Sequence, residues 1–452
     1  MTSRPNVSRV FHRSLVQQYP EARSAHGAYI TDATGKQYLD ASGGAAVSCL
    51  GHGHPRIIAA IVHQLERMAF AHTSFFTNEP AERLAEILSA RAPGGAWRVY
   101  YLSGGSEANE AALKLARQLH VERGETRRDT FISRRFSYHG NTLGALSVGG
   151  RTAHLGTFGP ILLPNVRKIE PCFAYRWKHE GESDAEYGLR AARALEREIA
   201  DLGEGRAIAF IAETVVGATL GAVPPAPGYF KEIRRICDEH GLYMILDEVM
   251  CGMGRSGTLF SCEQDGVVPD MISLAKGLGA GYQPIGALMV REELAEVIEK
   301  GSGAFNHGHT YVGHATACAA GLAVQEVFEE EGLIARVAVM GDRLAAALAA
   351  RFGSHPHVGD VRGRGLFRGV ELVADRASKE PFAASRKLAA RLKARAMDNG
   401  LICYPMAGTV DGEAGDHVLL APPFIITDAQ IEELVDKLAR SIDDVIAQTD
   451  RH

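Results

Sequence analysis

Between about residue 95 and residue 290 the chain alternates short apolar runs with segments of helical periodicity. Residues 97–102 (WRVYYL) lead into 106–119, where Ala108, Ala111, Ala112, Leu115, Ala116 and Leu119 recur at the spacing of one helix face. Residues 207–212 (AIAFIA), 242–246 (LYMIL) and 271–275 (MISLA) are unbroken apolar runs of strand length, each followed abruptly by polar residues. Runs of this kind suit strands buried on both faces of a parallel sheet, and residues 229–238 supply a crossover helix before the second of them. The last third changes character. Residues 313–352 predict long helices, 361–372 and 418–426 predict strands, and 383–399 and 428–446 predict further helices. Near the start, 28–39 reads as a hairpin with Asp32 and Gly35 at its turn. The whole is an α/β sheet domain with an α+β domain appended.

Composition narrows the class. A chain of 452 residues exceeds what one core usually supports, so a large domain and a smaller one are expected. With 46% hydrophobic and 23% charged residues and a net charge of −5, nothing points to nucleic acid. The seven cysteines form no C-x-x-C pair, which predicts reduced thiols in a cytoplasmic protein. The opening stretch is polar, and no apolar run is long enough to predict a membrane span.

In open α/β sheets ligands bind at the carboxyl ends of strands, so the residues that follow each strand carry the chemistry. After Leu102 come Ser103, Gly104, Gly105 and Ser106 at a helix start, where free N–H groups and the helix dipole suit a phosphate. A glycine–serine turn that only caps a helix gives the same pattern. After Leu246 come Asp247, Glu248 and Val249, and an acid at the end of a buried strand needs a partner. A protonated heterocyclic nitrogen is one such partner. After Ala275 comes Lys276, followed by glycines that clear space around it. Alone, it reads equally as a lysine reaching solvent. After Ser133 come Tyr138, His139 and Gly140, which place an aromatic ring in the same layer. Together a phosphate cup, a buried acid, an amine and a flat ring match the needs of pyridoxal phosphate.

The motifs LDASGGAAVSCLGHGHP, YLSGGSEANEAALKLAR, YHGNTLGALS, DEVMCGMGRSG, SLAKGLGAGYQPIGA, HGHTYVGHATACAA and LLAPPFIIT occur in that order. In combination they resemble the class III, or ω-type, aminotransferases of the fold-type-I pyridoxal-phosphate superfamily, over almost the whole chain. The resemblance implies a large, mostly parallel seven-stranded sheet domain spanning 66–320, and a smaller α+β domain built from 1–65 and 321–452. It implies that Lys276 carries the cofactor as a Schiff base and shuttles a proton, that Asp247 pairs with the pyridine nitrogen, and that Tyr138 stacks on the ring with Val249 on the opposite face. Gly105 and Ser106 would hold the phosphate, His139 would belong to the cofactor-binding residues, and Glu213 would be an acid near Asp247. Thr310 would reach the phosphate of a neighbouring subunit in an obligate homodimer. The implied reaction moves an amino group from a donor to a keto acid. Decarboxylation, racemisation or intramolecular amine transfer use the same cage, and a non-catalytic regulator with such a body would need an added DNA-binding domain that the short segment before Tyr29 cannot supply.

The pattern departs from the family at the substrate. Members that use 2-oxoglutarate usually place an arginine three residues before the Pro-Pro pair; here Leu419 precedes Pro422 and Pro423. The glutamate that parks this arginine is replaced by Ala218, and Tyr404 stands where some amine–pyruvate members carry a mobile arginine. The expected donor is therefore a primary amine or an amino acid whose amine is remote from its carboxylate, with pyruvate favoured over 2-oxoglutarate. Arg134 and Arg135, near Tyr138, are the alternative carboxylate ligands. Leu50, Phe75 and Phe76 are candidate substrate walls contributed across a dimer. The histidines at 52, 54, 307 and 309 have poor spacing for zinc, so no metal is expected; they are expected to line the cavity or its dimer edge, or to satisfy backbone groups. Glu110 and Lys114, four apart, read as a surface ion pair.

Overall fold

Seven strands form one sheet in the computed structural model, which describes residues 8–449. Their spatial order is Trp97–Leu102, Gly286–Arg291, Met271–Leu274, Tyr243–Asp247, Ala207–Glu213, Thr130–Arg134 and Val166–Ile169. The last five are parallel to one another, and Gly286–Arg291 runs antiparallel to both its neighbours. Every residue of Ala207–Glu213 and Tyr243–Asp247 is buried, which is why these strands read as unbroken apolar runs. Side chains still alternate between two layers. Phe210, Met244 and Leu246 pack with Tyr229, Phe230 and Ile233 of helix Tyr229–His240, while Ile211 and Ile245 pack with Ala112, Leu115 and Leu119 of helix Gly105–Glu122.

The register puts the polar strand ends together. Glu213 pairs with Asp247, and Asp247 with Ser273, so the carboxyl ends of three adjacent strands share one edge, with Lys276 just beyond.

A four-stranded sheet joins the two ends of the chain: Ala22–His26, Tyr29–Asp32 and Gln37–Asp40 run antiparallel, and Leu401–Ile402 adds in parallel to the last. A second, antiparallel sheet takes Val358–Arg364, Phe367–Leu372, Asp416–Leu420 and Tyr404–Ala407. The expected strand at 361–372 is thus a hairpin, turned at Gly365, whose φ of +51° is a conformation that side chains resist. The expected strand at 418–426 stops at Leu420, because Pro422 and Pro423 have no N–H to donate to a ladder. The helix expected at 383–399 is a short 3₁₀ turn followed by Leu388–Asp398, separated by Lys387 at φ +48°. Helices Ala315–Glu330, Leu333–Phe352 and Asp428–Thr449 complete this part. Residues 1–7 of the polar opening stretch lie outside the described residues.

Arg255 ties the parts together. Fully buried, it donates to the carbonyls of Leu366 and Pro422, reaches Cys49 Sγ at 3.4 Å and lies 4.7 Å from the ring of Phe424. Among the described residues no helix is long and apolar enough to cross a membrane.

Candidate active site

A cavity of about 570 Å³ lies at the carboxyl ends of the parallel strands. It is lined by Gly105 and Ser106, Tyr138 and His139, Glu213, Asp247 and Val249, and Lys276. The structure thus brings eight of the expected residues into one space.

Asp247 is the most elaborately held of them. Its Oδ2 accepts from His139 Nδ1 and Asn109 Nδ2, both at 2.8 Å, and its Oδ1 accepts from the Val249 backbone N–H at 3.0 Å. At 4% exposure the carboxylate has no lysine or arginine within ion-pair distance among the described residues. Its neighbour Glu248 points the other way in the strand pleat. Glu248 accepts from Thr214 Oγ1 and from the N–H groups of Ser261 and Cys262, which makes it a structural clamp on the following loop, and burial pushes its carboxyl up to about 7. Glu213 keeps Oε1 on the Gly217 N–H at 3.1 Å and leaves Oε2 buried without a partner; burial raises its carboxyl above the ordinary range.

Lys276 follows its strand with φ +46°, a left-handed conformation that costs energy for any side chain bearing Cβ and is concentrated at functional sites. Burial lowers its amine to about 8, with the charges of Asp247 and Glu213 opposing that fall. Its amine takes no hydrogen bond or ion pair among the described residues. A desolvated amine of this kind is neutral often enough near physiological pH to act as nucleophile and base.

The turn after Leu102 opens helix Gly105–Glu122, whose first closing bond runs from Ala108 N to Gly104 O at 3.0 Å. The N–H groups before it are free for an anion, and the dipole favours one there. Ser106 Oγ accepts from the Asn141 N–H at 3.0 Å, which ties the turn to the loop that carries Tyr138. That loop comes so close that a Cβ on Gly140 would stand 2.5 Å from Ser106 Oγ. Tyr138 is half-buried at the cavity wall, and burial raises its phenol.

Other expectations fall elsewhere. Leu419 is buried in an apolar cluster with Val215, Cys251 and Phe367, and Tyr404, packed against that cluster, lines the cavity in its place. Leu50 belongs to the core. Phe76 is 66% exposed, and Thr310 is exposed. Arg134 and Arg135 do not supply a carboxylate clamp: Arg134 is buried and donates to the Glu213 carbonyl at 2.5 Å, and Arg135 pairs with Glu170 at 2.9 Å. None of His52, His54, His307 and His309 lines the cavity; His54 faces Glu331 and His307 faces Lys114. Cys251 lines it, with its thiol pushed up by burial.

The expected Glu110–Lys114 pair does not form. Lys114 turns to His307, and Glu110 accepts from Thr142 Oγ1 at 2.6 Å and the Ala145 N–H at 3.1 Å, capping the helix Leu143–Val148. The tertiary approach of this helix supplies a hydroxyl and an N–H donor in place of the lysine. Glu110→Ala is expected to cost about 1–2 kcal/mol, the worth of a lost cap, read as a lower midpoint in thermal or urea unfolding.

Three residues went unnoticed in the sequence. Asn109 bridges Asp247 and the His139 carbonyl; its signal was a polar residue of low helix propensity on the buried side of a helix. Arg13 and Arg151 line the cavity from segments far apart in the chain, and no local pattern marks them.

Comparison with known proteins agrees with this geometry. Residues 13–442 match the family model described as aminotransferase class-III. An uncharacterized aminotransferase of Schizosaccharomyces pombe is 44% identical over 97% of this chain and 95% of its own length. The chloroplastic gamma aminobutyrate transaminase 3 of Solanum lycopersicum is 34% identical over 93% of this chain and 80% of its own. The ω-transaminase of Pseudomonas jessenii, solved in complex with PMP, superposes with a TM-score of 0.89 at 33% identity, covering 95% of this chain and 93% of that one. An (S)-enantioselective ω-transaminase from Thermomicrobium roseum gives 0.88 at 36% identity, with the same coverage. With its parallel strand ends gathering an amine, an acid and a helix N-terminus, the chain belongs to the class-III aminotransferases and has the fold-type-I architecture.

Proposed function

We propose that this aminotransferase uses pyridoxal phosphate to move an amino group from a primary amine or ω-amino acid to a keto acid, with pyruvate favoured over 2-oxoglutarate. The observation that carries the reading is the presence of the Lys276 amine and the Asp247 carboxylate in one cavity with the open helix N-terminus at Gly105. The residues fit the cofactor: an acid with no lysine or arginine beside it among the described residues suits a protonated ring nitrogen, and free N–H groups suit a phosphate. When bound, pyridoxal phosphate supplies an aldehyde for the incoming amine and a ring that accepts electrons.

The chain's own groups do the rest. Gly105 and Ser106 would hold the phosphate, and Tyr138 and Val249 would flank the ring. Asp247, oriented by Asn109 and His139, would face the ring nitrogen and keep it protonated, with Glu213 beside it. Lys276 Nζ would carry the cofactor and, once free, would hold and move the proton of the donor carbon.

The acceptor preference rests on two positions: Leu419 is apolar and turned into the core, and Tyr404 at the wall has no charge to clamp a second carboxylate. A homodimer completes the site in this reading, with Thr310 reaching the other copy's phosphate and Leu50 and Phe76 contributing to its substrate wall. Phe75, Phe76 and Tyr311 are exposed apolar side chains, which supports a covered surface. All seven cysteines are free and buried, which supports a cytoplasmic setting.

The test is a spectral screen of protein loaded with pyridoxal phosphate against a panel of amines, without keto acid. Conversion that stops at the pyridoxamine form is expected, followed by faster recovery with pyruvate than with 2-oxoglutarate. Silence toward every amine would overturn transamination; faster recovery with 2-oxoglutarate would overturn the acceptor assignment alone.

A further inference from the structure

Two guanidinium groups face the cavity without a counter-charge. Arg13 comes from the segment before the first strand, and Arg151 precedes the helix Thr152–Phe158. Among the described residues neither guanidinium makes a hydrogen bond or an ion pair. Arg134 and Arg135, the cations nearest Tyr138 in sequence, are both engaged elsewhere. An arginine fork with no acceptor, on the wall of a cavity, is suited to a carboxylate.

The carboxylates that act on Lys276 are Asp247 and Glu213. Arg13 and Arg151 act on the phenol of Tyr138, as Tyr404 and Asp247 also do. Arg151 also borders a second cavity of about 410 Å³, which shares Thr219 and Met406 with the first. Arg151 therefore lines the junction of the two cavities, whose combined space leaves room for several methylene groups.

We infer that Arg151, assisted by Arg13, binds the carboxylate of an ω-amino acid donor while the donor's amine reacts at Lys276. The inference rests on the transaminase reading and names its donor class. On this reading the pair serves the remote carboxylate of the donor and not a carboxylate next to the reacting carbon, as in pyruvate.

The test compares Arg151→Ala, Arg13→Ala and Arg151→Lys with the parent in the donor half-reaction without keto acid and, separately, in the return half-reaction with pyruvate. Donors are 4-aminobutanoate, 5-aminopentanoate and 6-aminohexanoate, each against the n-alkylamine of equal length. Arg151→Ala is expected to lower kcat/KM for the ω-amino acids about ten- to a hundred-fold, mainly through KM, as for loss of a charge-assisted hydrogen bond. The alkylamines and the KM for pyruvate stay unchanged, Arg13→Ala has a smaller effect in the same direction, and Arg151→Lys recovers part of the loss. Calorimetry with hexanoate, which cannot react, is expected to show weaker binding to Arg151→Ala holoenzyme. Equal losses for amino acids and alkylamines, an effect on pyruvate alone, or undiminished hexanoate binding would each overturn the inference. A parent protein inert to every amine would sink the transaminase reading, and the hexanoate arm would still decide the role of Arg151.

Discussion

Lys276→Ala is expected to lower kcat by more than the ~10²–10⁴-fold typical of losing a general acid–base group, because the same nitrogen also bonds the cofactor. The measurement is turnover with saturating pyridoxal phosphate, alongside thermal unfolding to show that the variant folds. Unfolding matters because alanine inherits the left-handed backbone at this position, so the strain stays while the amine goes. Borohydride should fix a pyridoxyl group to the parent protein at this position and not to the variant. The parent has a pH signature too. With the amine lowered to about 8 by burial, the neutral fraction that attacks the aldehyde grows as pH rises through 8 and levels off above it. Covalent capture of pyridoxal phosphate by the apoprotein should follow that curve. Turnover within tenfold of the parent, or capture that is flat from pH 7 to 9, would remove Lys276 from its role.

Asp247→Asn is the second large effect. The change keeps the shape and removes the charge, and a cofactor ring without a carboxylate against its nitrogen accepts electrons less readily. The expected fall in kcat is about 10²–10³-fold, the scale of losing one preorganised electrostatic contact. Covalent capture by Lys276 should survive, which separates this variant from the first. The asparagine also places an N–H₂ group where three donors converge, from His139, Asn109 and the Val249 backbone, so a lower unfolding midpoint is expected as well. Retention of more than half the parent kcat would show that the carboxylate does not set the electron demand of the site.

Much of this site was legible because its signals are local. Lys276 and Asp247 stand immediately after apolar runs, and a polar group in that position is informative whatever the rest of the chain does. The strands themselves were legible for the same reason, since Ala207–Glu213 and Tyr243–Asp247 are buried on both faces and carry no alternation to misread. The antiparallel direction of Gly286–Arg291 was not, because direction depends on where the preceding loop crosses the sheet. Glu110 shows the same limit at a single side chain. Helical spacing brings it to Lys114, but a loop more than thirty residues later offers it two donors. The engagement of Arg134 with the Glu213 carbonyl was not legible either, because proximity in sequence to Tyr138 says nothing about which side of the strand the guanidinium leaves from.

What the sequence alone determined, then, was the chemistry: which amine, which acid, which helix start, and the architecture able to bring them to one edge. These follow from nearest-neighbour patterns of burial and polarity. What tertiary structure alone decided was the surroundings of that chemistry: Asn109 and His139 holding Asp247, Glu110 capping a neighbouring helix, and Arg13 with Arg151 on the cavity wall. Each of these depends on segments remote in the chain arriving within a few ångströms, and packing, not local periodicity, sets that meeting.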